Sequence, residues 1–399
     1  MRIVFQFIFL LIISSVLGQD TYKGLVVDKT TKQPVPFVNI GVVGKGMGTV
    51  SDEKGLFYLY FNDNKILSTD IVQFSSLGYQ TIEMSVSNAK YILHEHSKIE
   101  MRSENVLLDE VVVSNTLLVP IIKPVGYRST DNNNFGYWKD NKALGGELAT
   151  RIEVNNQKRK LSSLEFEILE NLSDSLLLRV NVYDIGDNDG GPNQNLNKSN
   201  KNILYTLKKH EVIVKIDLEP YNILVNSSFY ISLELVKRYN NKPVGLVLAA
   251  ADKNDEHVKR TNKKPIGLGM TIPEKSKGTY RRYSSQGKWI KVSNINMAFY
   301  LETKQLVSKD KAKKIEGKQK KDREKRRIVS GFTISGGKMV SNVAVYNKRT
   351  KEVTSSDHSG RYTIHAVKND ILIFSKNRYK KVLVEIGKQQ FANAILQLE

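Results

Sequence analysis

Two stretches 305 residues apart carry the same turn, and this repetition restricts the chain more than any other feature. "TVSDEKGLFYLYF" (49–61) and "VTSSDHSGRYTI" (353–364) each place an Asp three residues before a Gly: Asp52 with Gly55, and Asp357 with Gly360. An Asp side chain can accept hydrogen bonds from the backbone a little further on, and Gly takes the positive φ that closes a tight turn. An alternating run follows each turn, with Phe57, Leu59 and Phe61 on one face and Tyr362 and Ile364 in the matching places. The pattern predicts a hairpin turn feeding a half-buried strand, twice. The register extends in both directions. Val35 precedes Asp52 by 17 residues and Val340 precedes Asp357 by 17. "DIVQFSSLGY" and "DILIFSKNRY" place Asp70, Phe74, Tyr79 and Asp370, Phe374, Tyr379 at equal offsets. A Gly opens each unit, Gly24 and Gly331. Arg378 stands where the first unit has Gly78, so the turn there is expected to differ.

Each unit spans about 70–90 residues of short strands and turns, the pattern of a β-sandwich. The first, through "KGLVVDKTTKQPVPFVNIGV", "GTVSDEKGLFYL" and "VQFSSLGYQT", resembles the carboxypeptidase-regulatory-like domain, a transthyretin-like seven-stranded sandwich. The second is a more divergent match. "LLDEVVVSN" after the first unit looks like the segment that ends this domain in TonB-dependent outer-membrane transporters of Bacteroidota. The resemblance specifies fold strongly and function hardly at all. A transporter barrel of about 22 strands, each about 9–11 residues long, needs far more chain than this. A zinc peptidase needs converging His and carboxylate ligands. None of the six His (His94, His96, His210, His257, His358, His365) lies in an HxxE or HExxH setting. His94 and His96 in "HEH" are expected on one face of a strand, at its surface end.

Export is expected from the start of the chain. "MRIVFQFIFLLIISSVLGQD" has one Arg, an apolar core from Ile3 to Ile13 and small residues ending at Gly18, the form of a signal peptide over 1–18. No later stretch approaches the about 18 consecutive apolar residues of a membrane span. The chain has no Cys, which excludes disulfides, thiolate metal sites, Cys nucleophiles and a lipid-bearing Cys, so no lipoprotein is expected. The net charge is +20, and residues 304–327 alone hold 12 Lys/Arg against 4 Asp/Glu. That run has no aromatic residue to stack on bases, so nucleic acid is not the expected partner. A solvated linker or short exposed helix is favoured over 304–328. The sharper reading is adhesion to an anionic surface, either membrane lipid or acidic glycan.

Residues 115–303 differ in texture. Runs such as "SLLLRVNVYD", "EVIVKIDL" and "SFYISLELV" alternate or are nearly all apolar, between Asn, Gly and Lys turns. A larger, jelly-roll-like β-sandwich is expected. "RVNVYD…SFYISLEL…TYRRYSSQGKW" is similar to a domain that accompanies the regulatory-like module in Bacteroidota proteins, and that resemblance implies no activity. "YDIGDNDGGPN" gathers Asp184, Asp187, Asn188 and Asp189 but lacks EF-hand register, so a plain turn is favoured over Ca²⁺. No nucleophile elbow, phosphate loop or dinucleotide fingerprint occurs, and "GKGMGT" (44–49) has no helix expected after it. Both Trp lie here, in "FGYWKD" and "YRRYSSQGKW". Core and polar rim is the ordinary role for such residues. If a ligand site exists, Tyr137, Trp138, Arg281, Tyr283 and Trp289 are its candidates, as aromatic and Arg anchors.

The sequence thus predicts an all-β chain: two seven-stranded transthyretin-like sandwiches (19–114 and 329–399) flanking a jelly-roll-like one (115–303). No catalytic residue, metal or cofactor is expected. The expected function is a non-catalytic envelope protein, periplasmic or at the outer membrane, binding or scaffolding a protein or glycan. The alternative is a glycan hydrolase with its site in the middle sandwich, where a carboxylate pair about 5–9.5 Å apart would mark it.

Overall fold

The computed structural model describes residues 21–104, 118–127, 135–138, 144–187, 190–240, 244–251, 278–293, 296–324 and 327–399. The expected signal peptide, the "LLDEVVVSN" segment, His257, Asn188 and Asp189 lie outside them. The described chain is all-β, with two α-helices and one short 3-10 turn. Among the described residues no helix is long and apolar enough to cross a membrane. The chain divides into two compact units, residues 1–113 with 122–305, and residues 114–121 with 306–399.

The first module holds β1 (Thr21–Asp28), β2 (Asn39–Val42), β3 (Met47–Val50), β4 (Leu56–Tyr60), β5 (Ile71–Ser75), β6 (Ile82–Ser85) and β7 (Lys98–Met101). They form two sheets, in the orders β4-β1-β7 and β3-β2-β5-β6. Between them lies a core that includes Val26, Val38, Ile40, Phe57, Leu59, Val72 and Phe74. An unexpected helix, α1 (Val86–Glu95), follows β6. Ser85 caps it by accepting the Asn88 amide, and Val86, Ala89 and Leu93 bury one side. His94 therefore lies in the last turn of a helix and His96 at its C-cap, not along a strand as the sequence pattern suggested. The short HEH alternation is overruled by the helical spacing of the apolar residues before it.

The middle domain contains β8 (Leu118–Gly126), β9 (Phe135–Trp138), β10 (Glu147–Ile152), β11 (Arg159–Asn171), β12 (Ser175–Ile185), β13 (Pro192–Asn195), β14 (Ile203–Lys208) and β15 (Ile213–Asp217). It continues through β16 (Leu224–Val225), β17 (Phe229–Arg238), β18 (Leu246–Ala251), β19 (Thr279–Arg282), β20 (Ile290–Ser293), β21 (Asn296–Met297) and β22 (Tyr300–Ser308). One sheet has seven strands, along β13-β12-β17-β10-β19-β20 with β14 on β12. The other has eight, along β21-β18-β11-β22-β8 with β9, β15 and β16 at its sides. Their facing sides share one core, including Leu178, Val180, Ile231 and Leu233 from the first and Leu164, Phe166, Leu248 and Leu301 from the second.

The last unit contains α2 (Lys309–Glu324), β23 (Arg327–Ser335), β24 (Lys338–Met339), β25 (Ala344–Asn347), β26 (Val353–Ser355), β27 (Arg361–Ala366), β28 (Ile371–Ser375), β29 (Val382–Glu385) and β30 (Ala394–Ile395). Residues 304–308, placed with the basic linker by sequence, instead continue β22, because Gln305 and Val307 alternate inward. Helix α2 then takes up most of the run, with Ala312 and Ile315 packed beside Ile121 and Val307.

The two repeated turns are alike in detail. Gly55 and Gly360 both have φ +73°. Asp52 Oδ1 accepts the Lys54 and Leu56 amides, and Asp357 Oδ1 accepts those of Ser359 and Arg361. Upstream, buried Ser51 accepts the Val38 amide and donates to the Val35 carbonyl; Ser356 does the same with Val343 and Val340. Contrary to expectation, the turn at Arg378 does not differ. Arg378 has φ +70° against +79° at Gly78, and Tyr79 and Tyr379 donate their amides to Ser76 and Lys376. The backbone of a residue with a Cβ is held in the left-handed region here, which costs about 1–2 kcal/mol. Glycine would relieve that but add unfolded-chain entropy. Arg378→Gly should therefore stabilise the last module by about 0.5–1 kcal/mol, read as a later thermal transition.

Candidate functional site

Alternation along four neighbouring strands puts apolar side chains in the core and polar ones on the opposite face of the seven-stranded sheet. On β12 those are Arg179, Asn181 and Tyr183; on β17, Tyr230, Ser232 and Glu234; on β10, Glu147; on β19, Tyr280 and Arg282. The register aligns four of them in one row, Arg179 opposite Glu234, Glu234 opposite Glu147, and Glu147 opposite Arg282. The row reads plus, minus, minus, plus across the sheet.

The row is buried, with both Glu side chains 0% exposed. Arg179 grips Glu234 with a two-point fork, Nε and Nη2 each 2.8 Å from a carboxylate oxygen. Arg282 Nη2 lies 2.6 Å from Glu147 Oε2. Like charges directly opposite repel, and here a neutral donor bridges them. Asn181 Nδ2 donates to Glu147 and to Glu234, 2.9 Å each. Ser232 and Tyr183 also donate to Glu147. Burial alone would raise the Glu234 pKa; Arg179, Arg282 and Asn181 outweigh it and hold the carboxyl below its ordinary range. Burial, then Glu147, pushes the Tyr183 phenol well up, so it stays a donor. The Arg282 guanidinium stacks 4.9 Å from the Trp289 ring centroid, and Tyr183 meets that ring edge-on.

The first module closes over one end of this row. Arg179 Nη1 donates to the Phe37 carbonyl at 2.8 Å and Nη2 to Asn39 Oδ1 at 2.5 Å. Phe37 is held at φ +57°, rare for a bulky residue, and with Val50 it packs on Leu177 and Val236. The 284–287 turn fits against the β2–β3 hairpin: Ser285 Oγ donates to Asn39 Oδ1, and Gln286 Nε2 donates to Ser75 Oγ. Lys237 pairs with Glu53 at 2.6 Å. A Cβ on Gly41 or Gly48 would lie 2.4 or 2.3 Å from the Ser285 carbonyl oxygen. Gly48→Ala should thus loosen the module from the sandwich by about 1–2 kcal/mol. Limited proteolysis between the two would show it.

The sequence-predicted residues fall in separate places. Tyr137 and Trp138 are on β9, which pairs with β18 in the eight-stranded sheet. Arg281, Tyr283 and Trp289 belong to the other sheet and its 283–289 connection. Arg281 lies over the Tyr283 ring at 4.7 Å, and Tyr283 is exposed. Trp289 is half-buried against Arg282, not Arg281. Asp184 of the acidic loop accepts the Gln194 amide. Sequence reasoning missed Glu147, Arg179, Asn181 and Glu234. The available signal was charges of both signs recurring at alternate positions of strands whose other face is apolar.

The carboxylate pair has a spacing of chemical interest. Glu147 Oε1 and Glu234 Oε2 both accept from Asn181 Nδ2, so the two carboxylates are near neighbours, as the acid pair of a retaining glycosidase must be. Yet each is tied to a guanidinium and closed to solvent. As folded, the row is a charge-neutral brace whose Arg179 reaches from the sandwich into the module.

That module has a family. Residues 22–113 match the CarboxypepD_reg-like domain. Among curated proteins none matches the chain. Among solved structures, the Clostridium difficile surface-layer-associated cysteine protease Cwp84, after propeptide cleavage, is 10% identical, over 65% of this chain and 51% of that one, with TM-score 0.31. The chain thus spans about half the length of that protease. BcpA, the major pilin subunit of Bacillus cereus, is 8% identical over 94% of this chain and 98% of its own, with TM-score 0.15.

Proposed function

We propose that the chain is a non-catalytic scaffolding or binding protein of the cell envelope, exported to the periplasm or outer membrane of a Bacteroidota-like cell. Its C-terminal module is, in this reading, a second, divergent copy of the CarboxypepD_reg-like domain. The matched turns at Gly55 and Gly360, and the matched roles of Ser51 and Ser356, support that copy. The observation that carries the functional reading is the brace. Its Arg179, held in place by Glu234, ties the family-matched module to the middle sandwich, an arrangement suited to presenting a rigid surface. The partner is a protein or glycan, met at exposed Tyr283 with the half-buried Arg281 stacked on its ring. No metal or cofactor enters this reading.

The test pairs binding with turnover. The purified chain is incubated with a glycan array and with fluorogenic glycoside and peptide libraries. Saturable binding without turnover is expected. Turnover that disappears in Glu147→Gln would overturn the reading in favour of a hydrolase.

A further inference from the structure

The outer face of the β24-β23-β27 sheet, with β30, carries exposed apolar side chains on β23, β24 and β30 beside polar ones on β27. Register places Ile328, Ser330 and Phe332 of β23 opposite His365, Thr363 and Arg361 of β27, and Ile334 opposite both Met339 and Ile395. Phe391, bridged to Ser330, meets Phe332 edge-on. Ile328 is 58% exposed, Met339 53%, Phe391 50% and Ile395 70%. The first module is an internal control. Gly24 lies opposite Phe57 as Gly331 lies opposite Tyr362, so the outer positions correspond. There Thr21, Lys23 and Leu25 stand in place of Ile328, Ser330 and Phe332, and Tyr60, Tyr58 and Leu56 in place of His365, Thr363 and Arg361. Glu100, paired with Lys32, stands in place of Ile395. The apolar side chains of this face thus lie on β4 in the first module but on β23, β24 and β30 in the last.

The same part of the chain is strongly basic. Residues 304–399 hold 23 Lys/Arg and 9 Asp/Glu, a net of +14 out of +20 for the whole chain. The run in and after α2 leads directly into Ile328. Three occupants can be weighed on these two facts. A second copy would cover the apolar face but oppose like charge. An acidic glycan would answer the charge but leave isoleucine, methionine and phenylalanine in water. An anionic bilayer meets both, since peripheral attachment needs an apolar contact together with a polybasic one.

We propose that this face, Ile328, Phe332, Ile334, Met339, Phe391 and Ile395, together with the basic run that precedes it in sequence, attaches the protein peripherally to an anionic lipid bilayer. The test is co-sedimentation of the full chain with vesicles of phosphatidylcholine alone and of phosphatidylcholine mixed with phosphatidylglycerol. Binding to the mixed vesicles only, weakened by high salt, is expected. Ile328→Glu/Ile395→Glu should lower that partitioning at least about tenfold with unchanged melting. Both sites are exposed; should the double variant melt early, Phe391→Ser carries the same test. Absence of binding to mixed vesicles overturns the proposal. So does undiminished binding by the variants, which would assign adhesion to the basic run alone. A dimer in ultracentrifugation that the variants abolish would give the face to a second copy.

Discussion

Arg179→Met should destabilise the first unit by about 3–5 kcal/mol, because it leaves Glu234 buried without its counter-charge. The same change removes the donors to the Phe37 carbonyl and Asn39, so the module should also loosen. Glu234→Met should cost a similar amount by stranding Arg179. The double variant, Arg179→Met with Glu234→Met, should recover much of the loss, since an apolar pair of similar volume is often no worse than a buried ion pair. Denaturant unfolding of the three variants closes the cycle. Additive losses would show that the two side chains do not act together. The acid limb has a definite sign. Glu234 is held below its ordinary 4.5, so its contribution is present above that pH and is lost as pH falls through the depressed folded value.

The second large effect is at the repeated turns. Gly55→Val and Gly360→Val each put a β-branched residue at φ +73°, a strain of about 1–3 kcal/mol. Gly55 should be hit harder. A Cβ there would lie 2.5 Å from the Val26 carbonyl oxygen, whereas at Gly360 the nearest atoms, Met339 Cβ and the Thr333 carbonyl oxygen, are 3.0 Å away. The glycines belong to different compact units, so the losses should add. Calorimetry of the single and double variants reads this directly. Unchanged melting in either single variant would mean that the turn tolerates a side chain.

Local signals in the sequence were enough to establish the all-β class and the two hairpin turns. An Asp–x–x–Gly turn is closed by atoms within five residues of one another, and strand alternation has a period of two, so both are visible in a short window. The same locality explains two errors. At Arg378 the absence of Gly suggested another turn, but the backbone bonds of the turn, Tyr379 to Lys376 and Glu399 to Arg378, form with an exposed arginine in the left-handed region. At His94 a three-residue alternation suggested a strand, while the helix is fixed by Ser85, Val86, Ala89 and Leu93. The brace was out of reach for a different reason. Arg179, Glu234, Glu147 and Arg282 come from four strands in the spatial order β12-β17-β10-β19, and each alone looks like the solvated side of a strand. Sequence alternation shows which residues share a face. Whether that face meets water or a neighbouring module depends on strand pairing across 136 residues, from Glu147 to Arg282, and on the docking of Phe37 and Asn39, contacts that exist only once the chain has folded.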